Sequence, residues 1–234
     1  MSGLRPPRRA ARTFRPGAVR RGAVVTALAL SLTALGGGVQ QSFSAQSHAA
    51  PAPRSPRAQR LHDQMRELWD DHITYTRLAI ISFAGNLPDL QPTEQRLLRN
   101  QTDLGEAFKP FFGTKAGNDL TALLRRHILT AVDILAAAKA GDTAKLAAAE
   151  KVWYANADDI ADFLHALNPG AWPDADLRTM MKNHLDLTLK EATDRLQGHY
   201  AQDIADFDEV HHQIVGMADT LSDGIIRRFP ERFI

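Results

Sequence analysis

Residues 118–167 read NDLTALLRRHILTAVDILAAAKAGDTAKLAAAEKVWYANADDIADFLHAL, and this stretch decides the fold. Leu120, Leu123, Leu124, Ala131, Ile134 and Leu135 recur at helical spacing, which predicts an amphipathic helix over residues 118–140 with Asn118 as its cap. Gly141-Asp142 has the chemistry that stops a helix. Leu146, Val152, Trp153, Ile160, Phe163, Leu164 and Leu167 then mark a second helix, closed by Asn168-Pro169-Gly170. So short a connection makes the two helices antiparallel neighbours, the unit of an up-down bundle.

The same period extends in both directions, and no stretch alternates with the strand period of two. Towards the N-terminus, Leu61, Met65, Leu68, Trp69, Ile73, Ile80 and Phe83 predict a helix from about Arg57 to Gly85, ended by Asn86-Leu87-Pro88. A short helix is expected from Thr93, carrying Leu97, Leu98, Leu104 and Phe108 and stopping before Pro110, with Phe111-Phe112-Gly113 as a corner. Towards the C-terminus, a helix starts near Pro173-Asp174 with Leu177, Met180, Met181, Leu185, Leu189, Ala192 and Leu196. A break at Gln197-Gly198 leads to the last helix, with Tyr200, Ile204, Phe207, Ile214, Met217, Leu221 and Ile225 expected inside. The expected fold is all-α: an up-down antiparallel helical bundle of about five long helices plus one short crossing helix, over residues 58–234.

Residues 1–50 read as a secretory signal peptide: seven arginines without an acid, an apolar run from Ala23 to Leu35, and Ser47-His48-Ala49 before the expected cleavage point. The apolar run is short for a membrane span, which needs about 20 residues, so no stable span remains after cleavage; an uncleaved anchor is the alternative reading. Residues 51–57, with Pro51, Pro53 and Pro56, form a linker. The expected location is secreted or extracytoplasmic. The chain has 28 basic and 27 acidic residues, and seven of the basic ones lie in the signal. The remainder therefore holds 21 basic against 27 acidic residues, a net charge of −6 with neutral histidine. An acidic domain without a basic stripe is a poor partner for nucleic acid. With no cysteine in the chain, a disulfide scaffold, a thiol nucleophile and a thiolate metal site are excluded.

Function concentrates on the histidines. His72, His127, His184 and His211 fall on apolar stripes, as does Asn156 between Trp153 and Ile160, whereas His62, His165, His199 and His212 read as surface residues. In an antiparallel hairpin, residues equidistant from the turn lie at one level. His127 and Asn156 are equidistant from Gly141-Asp142, Asn156 and His184 from Gly170, and His184 and His211 from Gln197-Gly198. The turns thus predict one polar layer across the core, which Asp208, one turn from His211, or Glu191, two turns from His184, can join. Three imidazoles and a carboxylate on facing helices suit zinc, iron or copper, with Asn156, Glu191 and Arg77 as supporting residues. An open fourth position on such an ion permits hydrolytic or redox chemistry. The competing readings are a small polar ligand in the core, or a purely structural layer in an envelope interaction protein of unknown partner. Glu209-x-x-His212 is a single motif, where di-iron bundles use two. No Walker loop, nucleophile elbow or His-Glu-x-x-His occurs.

Leu68-Trp69 with His72, Thr76-Arg77, Asn86-Leu87-Pro88-Asp89, Arg96-Leu97-Leu98-Arg99-Asn100, Trp153 to Asp158, His184-Leu185 and Asp223-Gly224-Ile225-Ile226 with Phe229-Pro230 resemble a family of small bacterial helical-bundle proteins. Some members are labelled acetylglutamate kinase, a label at odds with the absence here of α/β alternation and glycine-rich phosphate loops. The resemblance implies the helical fold. In the family's pattern the position of His211 can be acidic, which points towards Asp208 as the carboxylate.

Overall fold

Ser55 opens the first helix: its hydroxyl accepts the Ala58 N–H at 3.2 Å, and proline occupies the first helical position, where a missing N–H costs nothing. The computed structural model describes residues 54–234; the predicted signal, residues 1–50, and the start of the linker lie outside the described residues. The helices are α1 (Pro56–Gly85), α2 (Leu90–Ala140), α3 (Thr143–Leu167), α4 (Asp174–Gln197) and α5 (Tyr200–Arg228), followed by a 3-10 turn at Pro230–Arg232. Left-handed residues end three of them: Asn86 (φ 51°), Gly141 (φ 67°) and Gly198 (φ 79°), so their last carbonyls are satisfied by N–H groups beyond the helix.

The expected helix before Phe111-Phe112-Gly113 is the first arm of α2, longer than expected and antiparallel to its neighbours. α2 runs through Pro110 and leaves helical geometry only at Gly113 (φ 88°, ψ 164°). Pro110 lies in the last turn before that break, where it removes a single helical hydrogen bond. The arms 90–112 and 114–140 then fold back on each other. A Cβ on Gly105 would stand 2.5 Å from the Gly117 carbonyl oxygen, so only glycine admits this approach. Arg125 Nη1 donates to the Leu98 carbonyl across the same seam at 3.1 Å. Asn118 therefore sits inside a helix and caps nothing.

With α2 counted as two arms, six antiparallel rods follow one another in chain order, and α5 returns to pack on α1. The closure is held by Arg66 on Asp219 at 2.6 Å and by Arg77 on Asp203 at 3.0 Å. Met65, Ile73, Leu104, Phe108, Ile160, Leu185, Ile214, Leu221 and Ile225 are fully buried. Each such side chain contributes about 1.5–3 kcal/mol, which is how a chain without cysteine stands. One end is sealed by Trp172 against Phe108 and Phe112. Among the described residues no helix is long and apolar enough to cross a membrane.

The expected stripe of α5 is off by one residue at its start. Tyr200 and Ile204 are 58% and 55% exposed, whereas Asp203 and Asp206 are fully buried. The buried face runs Asp203, Asp206, Val210, Ile214, Met217, Leu221, because Arg77 reaches in from α1 and Lys190 from α4 to pair with the two aspartates.

Candidate functional site

His72, His127 and His184 stand on α1, the second arm of α2, and α4, the three rods that run in one direction. All three are buried. The His184 ring lies 5.8 Å from the His72 ring and 6.2 Å from the His127 ring, centroid to centroid. Trp153 stacks on His127 at 5.2 Å, and Trp69 meets His72 edge-on at 5.4 Å.

Each ring is held by an amide on the next rod, at the same interval of 29 residues. His127 Nδ1–H donates to Asn156 Oδ1 at 3.1 Å, and His184 Nδ1–H donates to Gln213 Oε1 at 3.1 Å. The amide nitrogens return to the backbone one turn before the histidine: Asn156 Nδ2 to Leu123 O at 3.3 Å, and Gln213 Nε2 to Met180 O at 3.1 Å. In the first hairpin two residues share the task. Asn100 Nδ2 donates to Leu68 O at 2.9 Å, while Gln101 Nε2 donates to His72 Nδ1 at 3.3 Å. The bundle is thus a threefold repeat of one helical hairpin, His on the outgoing rod and Asn or Gln on the returning one, with the histidines meeting near its centre.

The first hairpin departs from the other two in its tautomer. Gln101 donates where Asn156 and Gln213 accept, so His72 carries its proton on Nε2, and Gln101 Oε1 is buried without a partner. Gln101 Nε2 also donates to Leu97 O at 2.8 Å and to Asn100 Oδ1 at 3.1 Å, which fixes the amide with its nitrogen towards His72. Burial keeps all three rings neutral. Desolvation, helped by His184, pushes His127 down to about 3. Desolvation alone lowers His184 to about 4, and His72 falls well below the usual histidine range for the same first reason. In each of the three rings the amide contact is made through Nδ1. One turn beyond the layer lies a small apolar chamber of about 50 Å³, walled in part by Thr76, Ala131, Trp153 and Thr188. Thr76 and Thr188 turn their hydroxyls back onto the His72 and His184 carbonyls at 2.7 and 2.8 Å.

The other candidates lie elsewhere. His211 is 39% exposed and pairs with Asp70 at 2.6 Å. Asp208 is exposed. Neither joins the layer, because Gln213 occupies the level at which His211 was expected. Glu191 and Arg77 form a second buried cluster: Arg77 Nη1 donates to Glu191 Oε1 at 2.7 Å and to Asp203 Oδ1 at 3.0 Å. Burial, opposed by Arg77, pushes Glu191 up to about 7, and its Oε2 is buried without a partner. Asp206 beside it takes Lys190 at 2.6 Å and Gln202 at 2.7 Å. Sequence reasoning missed Gln101, Gln213, Asp203 and Asp206; the shared spacing from each histidine was the readable signal for the two amides. His62, read as a surface residue, is 3% exposed and sits 2.9 Å from Asp219, since α5 covers it.

As the side chains stand, no group of three or more His, Asp or Glu among the described residues is spaced to hold a metal ion. An ion about 2 Å from three imidazole nitrogens sets all three pairs of ring centroids roughly 5–5.5 Å apart; the two pairs through His184 are wider, at 5.8 and 6.2 Å. No family model, no curated protein and no solved structure matches the chain.

Proposed function

We propose that this chain is an exported helical-bundle protein that binds a transition-metal ion through His72, His127 and His184. One observation carries the reading: three neutral imidazoles lie together in the core, His72 and His127 each beside His184, with Nδ1 of His127 and His184 held by an amide oxygen. Anchoring one ring nitrogen to an amide oxygen orients the other as a ligand and selects its tautomer. The donor set fits zinc, iron or copper by ligand type. Holding an ion at Nε2 would require the His72 proton to sit on Nδ1, against a Gln101 amide nitrogen that also donates to Leu97 O at 2.8 Å and to Asn100 Oδ1 at 3.1 Å. Asn156 and Gln213 are the supporting residues; Asp208 and His211 have no part in it.

The test is elemental analysis of the purified mature protein before and after chelation, with melting followed as zinc, copper or iron is returned. About one ion per chain and a raised Tm are expected, since a ligand bound only by the native state stabilises it. Absence of stoichiometric metal together with an unmoved Tm overturns the reading. A second reading then stands, that the layer fixes helix register. It is favoured by the amide cross-braces, which tie rod to rod through side chain and backbone together.

A further inference from the structure

We propose that the apolar chamber one turn beyond the histidine layer is a binding site for a short alkylammonium, its chain inside the chamber and its charge on Glu94. The site is separate from the layer and does not depend on an ion there. Close-packed interiors hold few voids larger than a water. One of about 50 Å³ opens here, where Ala79, Ala131 and Ala192 are too short to close the gap between the rods. Ile80, Leu97 and Ile128, all buried, line it too. Thr76 and Thr188 add no free donor, because their hydroxyls bond the His72 and His184 carbonyls. An apolar void stays dry and takes apolar guests. One water needs about 10–15 Å³ of such space, so the chamber admits roughly three or four heavy atoms. A single charge breaks the wall. Glu94 lines the chamber while remaining partly exposed, and no Lys, Arg or His lines it. Glu94 has no hydrogen-bond or ion-pair partner among the described residues; Arg96, the nearest cation in sequence, pairs with Asp71 instead. Nor does the helix terminus account for the charge. α2 starts at Leu90, so Glu94 lies in its second turn, whereas the terminal dipole acts within the first. An alkyl chain in the chamber with an ammonium on Glu94 satisfies both features at once, and a carboxylate on the same chain would meet like charge.

The experiment is calorimetric titration of the mature protein, freed of metal by chelation, with n-butylammonium, ethylammonium, 1-butanol and butyrate. Butylammonium is expected to bind with a Kd of about 1 mM or tighter, within reach of a ligand of so few atoms. It should bind about fivefold or more tighter than 1-butanol, the upper range for a partly exposed ion pair, and butyrate should not bind. Each CH2 removed should weaken binding by about fourfold, so ethylammonium falls more than tenfold behind. Glu94→Gln should bring butylammonium to the level of 1-butanol and leave 1-butanol unchanged. Ala131→Leu fills the chamber and should abolish binding of both. No binding of any of the four at about 10 mM overturns the site. Equal binding of butylammonium and butyrate, or a Glu94→Gln variant that binds butylammonium like the parent, overturns the role of Glu94. Equal binding of ethylammonium and butylammonium reduces the contact to a surface ion pair and overturns the chamber.

Discussion

His184 Nδ1 and Gln213 Oε1 stand 3.1 Å apart on neighbouring antiparallel helices, and the same amide nitrogen-to-backbone brace fixes Gln213 on Met180 O. Gln213→Ala strips both bonds and leaves a buried ring N–H without an acceptor, a loss of about 2–3 kcal/mol. His211→Ala, two residues away, removes a half-exposed pair with Asp70 and a ring contact with Phe207, and should move the urea midpoint much less. Equal effects of the two substitutions would refute the assignment of Gln213 to the layer.

The histidine layer sets a pH dependence of definite sign. The folded rings titrate well below the usual value of 6.5, at about 3 for His127 and about 4 for His184. Between those values and 6.5 the unfolded chain binds more protons than the folded one. Stability is therefore complete above pH 6.5 and declines as pH falls towards 4 and then 3. Equilibrium unfolding from pH 7 to pH 4 measures it, and a flat profile would contradict neutral buried rings.

Glu191 works in the opposite sense. Its folded value of about 7 lies above the ordinary 4.5, so the folded state holds the extra proton between the two. Its contribution is complete below pH 4.5 and is lost as pH rises through 7. Glu191→Gln keeps the shape and removes the titration. The variant should gain stability relative to the parent at pH 8, and its optimum should shift to higher pH. Arg77→Ala, by contrast, leaves Glu191 and Asp203 buried beside each other and should cost about 3–5 kcal/mol.

Two glycines on one helix separate packing from propensity. A Cβ on Gly224 would lie 1.9 Å from Trp172 Nε1, so Gly224→Ala must displace an indole that donates to Thr220 O and packs on Phe108 and Phe112. The expected loss is about 3 kcal/mol. Nothing lies within 4 Å of a Cβ on Gly216, so Gly216→Ala should stabilise by roughly 0.5–1 kcal/mol. Thermal melts of the pair decide it.

Helix number, direction and most boundaries were readable because Gly, Asn and Pro punctuate a strong 3.6-residue period: Asn86, Gly141, Asn168 and Gly198 end helices where expected. His72, His127, Asn156 and His184 were readable as buried for the same reason. Their chemistry was not. A polar residue on an apolar stripe fixes which way it faces, not which neighbour satisfies it. The turn between α4 and α5 is centred on Gly198 and His199 rather than Gln197 and Gly198. Because levels in a hairpin shift by two residues for each one in the turn, His211 was named where Gln213 stands.

By itself the sequence determined an all-helical chain, its antiparallel order and the shared level of His127, Asn156 and His184, since these follow from local periodicity and turn chemistry; the level of His72 is set by no single turn, because the helix before Pro110 intervenes. Only the tertiary structure decided that the short helix is an arm of α2, that Asp203 and Asp206 are buried, and that the carboxylates stay away from the histidines. Those outcomes depend on charged partners arriving from distant rods, Arg77 from α1 above all, and no local pattern on α5 encodes where that guanidinium will be.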